Sequence, residues 1–125
     1  MRKSSLLFSI AGLFSIAVFL LMQGACKKTT ESVVDCIAES FFVSVKYKPD
    51  TSSSKKINFE VNYSGANTVK SVEWIYGDGN TEKVNGTTAT HTYTNAGPYT
   101  VKAKVLITKG STTCTPEPEK SITVN

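Results

Sequence analysis

His91 is the only histidine in a chain of 125 residues, and Asp78-Gly79-Asn80-Thr81-Glu82 offers side-chain oxygens at alternate positions. A triad of serine, histidine and aspartate would have to use His91, and one imidazole cannot build a histidine-based metal cluster. Asp78, Asn80 and Glu82 match the opening half of a calcium loop, but no acidic residue stands at its closing place. The run Gly77-Asp78-Gly79-Asn80 is already explained as a tight reversal. Glycine admits positive φ there, and Asp or Asn can close an Asx-turn on its own backbone. Glu60, Glu73 and Glu82 are not paired as an acid and a base, and no glycine-rich phosphate loop follows a strand and opens a helix. The expectation is a chain with no catalytic residue, no cofactor and no metal, with Asp78, Asn80 and Glu82 as its calcium candidates.

The segments that must position these residues alternate with a period of two. Phe41, Val43, Val45 and Tyr47 alternate with Phe42, Ser44 and Lys46, which predicts a half-buried strand. Pro49 to Lys56 is a loop, and Ile57, Phe59, Val61 and Tyr63 form the inner face of a second strand. Ser64-Gly65-Ala66-Asn67 turns the chain into a third, where Val72, Trp74 and Tyr76 share a face. Thr81 to Val84 and Thr87 to Tyr93 are short β-prone pieces around Asn85-Gly86, a two-residue hairpin signal. Asn95-Ala96-Gly97-Pro98 makes a corner before a nine-residue strand with Tyr99, Val101, Ala103, Val105 and Ile107 on one side. Ile122 and Val124 close the chain, and no helical pattern follows the N-terminal segment. About seven short strands predict an all-β antiparallel sandwich.

Arg2 and Lys3 precede an uncharged apolar run from Leu6 to Met22, and Gln23-Gly24-Ala25 brings small residues up to Cys26. This is the layout of an export signal. The placing of Cys26 resembles the bacterial lipobox, whose cysteine is lipidated and becomes the mature N-terminus, although Gln23 stands where leucine is usual. Simple cleavage and an uncleaved anchor helix are the alternatives, the apolar run lying at the lower limit of the ~17–25 residues that span a bilayer. The expected organisation is a lipoprotein-type signal over 1–25, a polar tether over 26–38 and a sandwich over 39–125. The formal charge of +4 drops by two when Arg2 and Lys3 are removed. The remaining lysines are scattered and no arginine is left, so nucleic-acid binding is not expected. With Cys26 lipidated, Cys36 and Cys114 are an even pair in an oxidising compartment. Their bridge would close a loop of nearly the whole domain, worth up to ~4–5 kcal/mol in the chain-entropy picture.

Three stretches, Trp74-Ile75-Tyr76-Gly77-Asp78-Gly79, His91-Thr92-Tyr93 and Gly97-Pro98-Tyr99-Thr100-Val101, resemble in order and spacing the signature of the PKD domain. This is the immunoglobulin-like module first described in the polycystic kidney disease protein. Tyr76 replaces the usual Phe and Ile75 the usual Asp. The resemblance covers Phe41 to Val124 and implies a sandwich in which His91 is a structural corner residue beside Tyr93. On the residues themselves, Trp74 is the large core filler, Gly97 supports a corner and Tyr99 is placed as a tyrosine corner. The family implies binding rather than chemistry. The expected protein is an exported, lipid-anchored outer-membrane or cell-surface module that binds protein or polysaccharide without catalysis. A carbohydrate-binding accessory of a polysaccharide-uptake system, with Phe42, Tyr47 and Tyr63 as its platform, and a passive spacer or assembly subunit are the alternatives.

Overall fold

The computed structural model describes residues 35–125. The signal over 1–25, Cys26 and most of the tether lie outside the described residues. Among the described residues eight strands form two antiparallel sheets. The first contains β1 (Val43–Pro49), β2 (Lys56–Tyr63) and β5 (Thr88–Thr92), in the order β1-β2-β5. The second contains β4 (Thr81–Val84), β3 (Thr68–Ile75) and β6 (Gly97–Lys109), with β7 (Thr112–Cys114) and β8 (Glu119–Val124) on the far side of β6.

The period-two pattern becomes the core. Val43, Val45, Ile57, Phe59 and Val61 face inward from the first sheet, and Val72, Trp74, Val101, Ala103, Val105, Ile107, Ile122 and Val124 from the second. Phe59 meets both Trp74 and Tyr76 with ring centroids 5.6 Å apart, which joins the two layers through aromatic contact. Among the described residues the core draws on residues 43–124. β6 is longer than expected, 13 residues. It is the spine of its sheet, pairing with β3 on one side and with β8 and then β7 on the other. Between β8 and β7 the ladder continues across prolines, because the carbonyls of Pro116 and Pro118 still accept from Val105 and Ala103.

Three expectations need correction. Asn85-Gly86 is not a hairpin. β4 pairs with β3 and β5 pairs with β2, so this stretch carries the chain from one sheet to the other. A type I′ turn needs positive φ at both central residues, and neither Asn85 nor Gly86 has it. Secondly, residues 35–40 are helical, where the sequence predicts the end of a polar tether and the start of the sandwich. So short a helix is marginal by its own propensity and is held by tertiary contacts. Cys36 is disulfide-bonded to Cys114, and the Glu39 carboxylate accepts from the Tyr63 hydroxyl and the Asn67 side-chain amide. Thirdly, β1 begins at Val43. Phe41 and Phe42 sit in the turn after the helix, where the backbone amides bond back to Ala38 and Glu39, and the alternating pattern does not bury them.

The strand directions give the sandwich two distinct ends. Residues 35–42, the turn from Tyr63 to Thr68 and the connection from Lys109 to Thr112 lie at one end. The β3–β4 turn, the β5–β6 corner and the end of β8 lie at the other.

Candidate functional site

The motif residues assemble at the second end, around the turn between β3 and β4. Asp78 closes an Asx-turn, accepting from the Asn80 backbone amide and side-chain amide at 3.0 Å each. Gly77 occupies φ 82°, and a Cβ there would lie 2.6 Å from the Thr100 carbonyl oxygen. Only glycine lets the turn lie this close to β6. His91, on β5 of the opposite sheet, places Nε2 2.7 Å from Asp78 Oδ2. The pair therefore ties the two sheets together. Burial alone would raise the Asp78 pKa, but the bonds from His91 and Asn80 outweigh it and hold the carboxyl below its ordinary range. The carboxylate is the acceptor and the imidazole N–H the donor.

The His91 ring stacks on Tyr76 at 3.9 Å with planes 4° apart, and meets Tyr93 edge-on at 4.7 Å. The Tyr76 hydroxyl donates to Glu82, and the Tyr93 hydroxyl to the Tyr76 carbonyl, at 2.8 and 3.0 Å. Burial first, and neighbouring carboxylates second, push both phenol pKa values far up. Neither ionises near neutral pH. Tyr99 donates to the Asn95 carbonyl at 3.0 Å and packs on Tyr93, forming the corner expected of it, while Gly97 turns the chain at φ 143°. Val101 and Trp74 are core residues. The Trp74 indole N–H has no hydrogen-bond partner among the described residues.

This constellation is occupied with itself. Among the described residues no serine or threonine hydroxyl bonds to His91. The calcium candidates are not gathered as ligands: Asp78 is taken by His91 and Asn80, Asn80 turns its amide nitrogen toward Asp78, and Glu82 accepts from Tyr76. Gly79 serves the turn at φ 94°. The arrangement can lock a fold; it offers no free group to a substrate.

A different feature is open. The solvent face of the three-stranded sheet forms a shallow cup of about 570 Å³. Lys46 and Lys48 stand on one side, Asn58 and Glu60 on the floor and Thr88 and Thr90 on the other side. Lys46, Glu60 and Thr88 form one cross-strand row, and Lys48, Asn58 and Thr90 the next. The floor is pre-arranged, since Thr90 donates to Asn58 Oδ1 at 2.8 Å. Asn58 in turn reaches Asp50, whose carboxyl the hydrogen bonds from Ser52 and then Asn58 hold well below the usual range. Among the described residues neither Lys46 nor Lys48 is in an ion pair. Sequence reasoning missed this site. The lysines at alternate positions of β1 were visible, but the third strand of the cup comes from the far side of a sheet crossing.

The aromatic platform does not form. Tyr47 borders the cup, whereas Phe42 lies at the other end of β1 and the Tyr63 hydroxyl is bonded to Glu39.

Two packed antiparallel sheets with a buried tryptophan and a tyrosine corner define an immunoglobulin-like β-sandwich, a class whose function lies in its surfaces. The family model of the PKD domain matches residues 44–124. The chain belongs to the PKD domain family, whose members are typically non-catalytic modules. Its fold is similar to that of the PKD1 domain of Vibrio anguillarum Epp, at 19% identity and a TM-score of 0.53, covering 66% of this chain and 90% of that one. The PKD1 domain of the Vibrio cholerae metalloprotease PrtV matches at 18% identity and a TM-score of 0.49, covering 66% and 96%. No curated protein is significantly similar to this chain.

Proposed function

We propose that this protein is an exported, lipid-anchored, non-enzymatic surface module that binds a polar polymer, protein or polysaccharide, through the cup of its three-stranded sheet. The observation that carries the reading is the cup itself: a pre-arranged row of amide, hydroxyl and ammonium groups on a rigid sheet, beside a motif cluster whose carboxylates and phenol hydroxyls are already bonded within the protein. Rigid strands hold donors and acceptors at fixed spacing, which lowers the entropy lost when a repeating ligand docks. Export follows from the N-terminal signal layout, and anchoring from Cys26. The family places such modules in secreted and extracellular proteins.

Glycan and peptide arrays probed with the soluble 27–125 chain test the binding. Capture that disappears in Lys46→Ala/Lys48→Ala, with thermal unfolding unchanged, is the expected result. An array on which the folded protein binds nothing overturns the reading. Metabolic labelling with palmitate tests the anchor separately: label is expected in wild type and absent in Cys26→Ala.

A further inference from the structure

The end of the sandwich formed by residues 35–42 and the β2–β3 turn carries an apolar surface that the cup does not explain. Ile37, Phe41 and Phe42 are 56%, 81% and 46% exposed, and apart from Tyr47 they are the large apolar side chains exposed in the described residues. All three fall within six consecutive residues. They are not on a frayed terminus. The helix that carries Ile37 and leads into the turn of Phe41 and Phe42 is bonded to β7 through Cys36–Cys114, to Tyr63 and the β2–β3 turn through Glu39 and to Lys109 through Asp35. A covalently fixed element with three apolar side chains facing water needs an apolar neighbour.

We infer that this end rests on the lipid surface to which the chain is anchored, with Phe41, Phe42 and Ile37 entering the interfacial layer. The inference builds on the proposed anchoring through Cys26, and the chain length between the two selects the occupant. Ile37 follows Cys26 by 11 positions, a span of roughly 40 Å when fully extended and about half that as a flexible coil. A tether this short holds the patch beside the bilayer at high effective concentration, so even weak partitioning keeps it seated. The near end also carries the exposed Lys70 on β3, which suits an anionic lipid surface, while Lys109 at the end of β6 is paired with Asp35. The β8 end and the β3–β4 turn would then point away from the membrane, and the cup would face sideways, open to a ligand.

The test uses the 27–125 chain, which holds every core residue among the described residues and both bridge cysteines but lacks Cys26. Binding to vesicles of phosphatidylethanolamine and phosphatidylglycerol is read by flotation, beside a light-scattering measurement of oligomeric state. Wild type is expected to float and Phe41→Ser/Phe42→Ser to lose on the order of tenfold or more of that binding. Ile37→Ser serves as a second variant, and unchanged thermal unfolding establishes that each is folded. Equal flotation of wild type and variants, or none by either, overturns the inference. Dimers that dissolve in the variant without any vesicle binding also overturn it, and identify a second copy as the occupant. Because this chain has no acylation site, failure here leaves the palmitate result on Cys26 standing, and the reverse holds too.

Discussion

At the end where residues 35–42 enter the sandwich, the chain is held by a disulfide and by bonds to an exposed helix; at the opposite end it is held by Gly77, the Asp78–His91 pair and stacked rings. The near end has a covalent tie because little apolar surface covers it. A short helix with its apolar residues turned outward contributes almost nothing to the core, so its position must be enforced from elsewhere. The far end needs no covalent bond. There Tyr76 and Tyr93 are buried beneath His91, and the Asp78 carboxylate and the Tyr76 and Tyr93 hydroxyls each have a partner from the other sheet or the adjoining turn. Motif residues and exposed apolar residues thus mark two solutions to the same task of closing a sandwich.

The comparison can be broken from either side. Replacing Cys36 and Cys114 by serine is expected to give the largest loss, about 4 kcal/mol in the chain-entropy picture. Denaturant unfolding measures it, and hydrogen exchange should show faster opening at residues 35–42 before any change near His91. Gly77→Ala comes next, on the order of 2–4 kcal/mol, because the substitution combines a positive φ with a Cβ pressed on the Thr100 carbonyl. Exchange should now rise around β3–β4 and β5, and stay unchanged near Cys36.

His91→Ala is expected to cost on the order of 1–2 kcal/mol, by loss of the bond that crosses the sheets and of the ring stack. The same pair sets a pH dependence. The Asp78 pKa is lower folded than unfolded, so its contribution is complete above the ordinary carboxylate value of about 3.9 and fades as pH falls through the lower folded value. Asp78→Asn should flatten the stability profile in that acid window and leave neutral pH less stable than wild type. Phe41→Ser should change thermal stability least, within about 0.5 kcal/mol, since its side chain touches water already. A large loss there would mean that the near end is packed rather than displayed.

Much of this architecture was readable in the residues. The inner faces of β2, β3 and β6 follow the alternation, and Trp74, Tyr99 and Gly97 do what their types and places suggest. Four things were not readable, each for a physical reason. Asn85-Gly86 signals a reversal but carries no information about which sheet the chain joins next. The helix over 35–40 is stable because Cys114 and Tyr63 are near it in space, and neither is near it in sequence. The cup depends on the register of three strands, one reached only through that misread crossing. His91 and Asp78 were seen one at a time, as a corner residue and a turn residue; their 2.7 Å contact emerges only when the sheets stack.

The Cys36–Cys114 bond also has a mechanical meaning. A pull between the chain before Cys36 and the chain after Cys114 enters the domain at Cys36 and divides at once between β1 and β7. The 78-residue separation between the two cysteines cannot lengthen under that pull while the bond is intact. Of the eight strands only β8 lies outside the closed loop, and it is zipped along β6. Load therefore reaches the long central strand directly, and the module would transmit tension as a short, stiff link rather than uncoil under it.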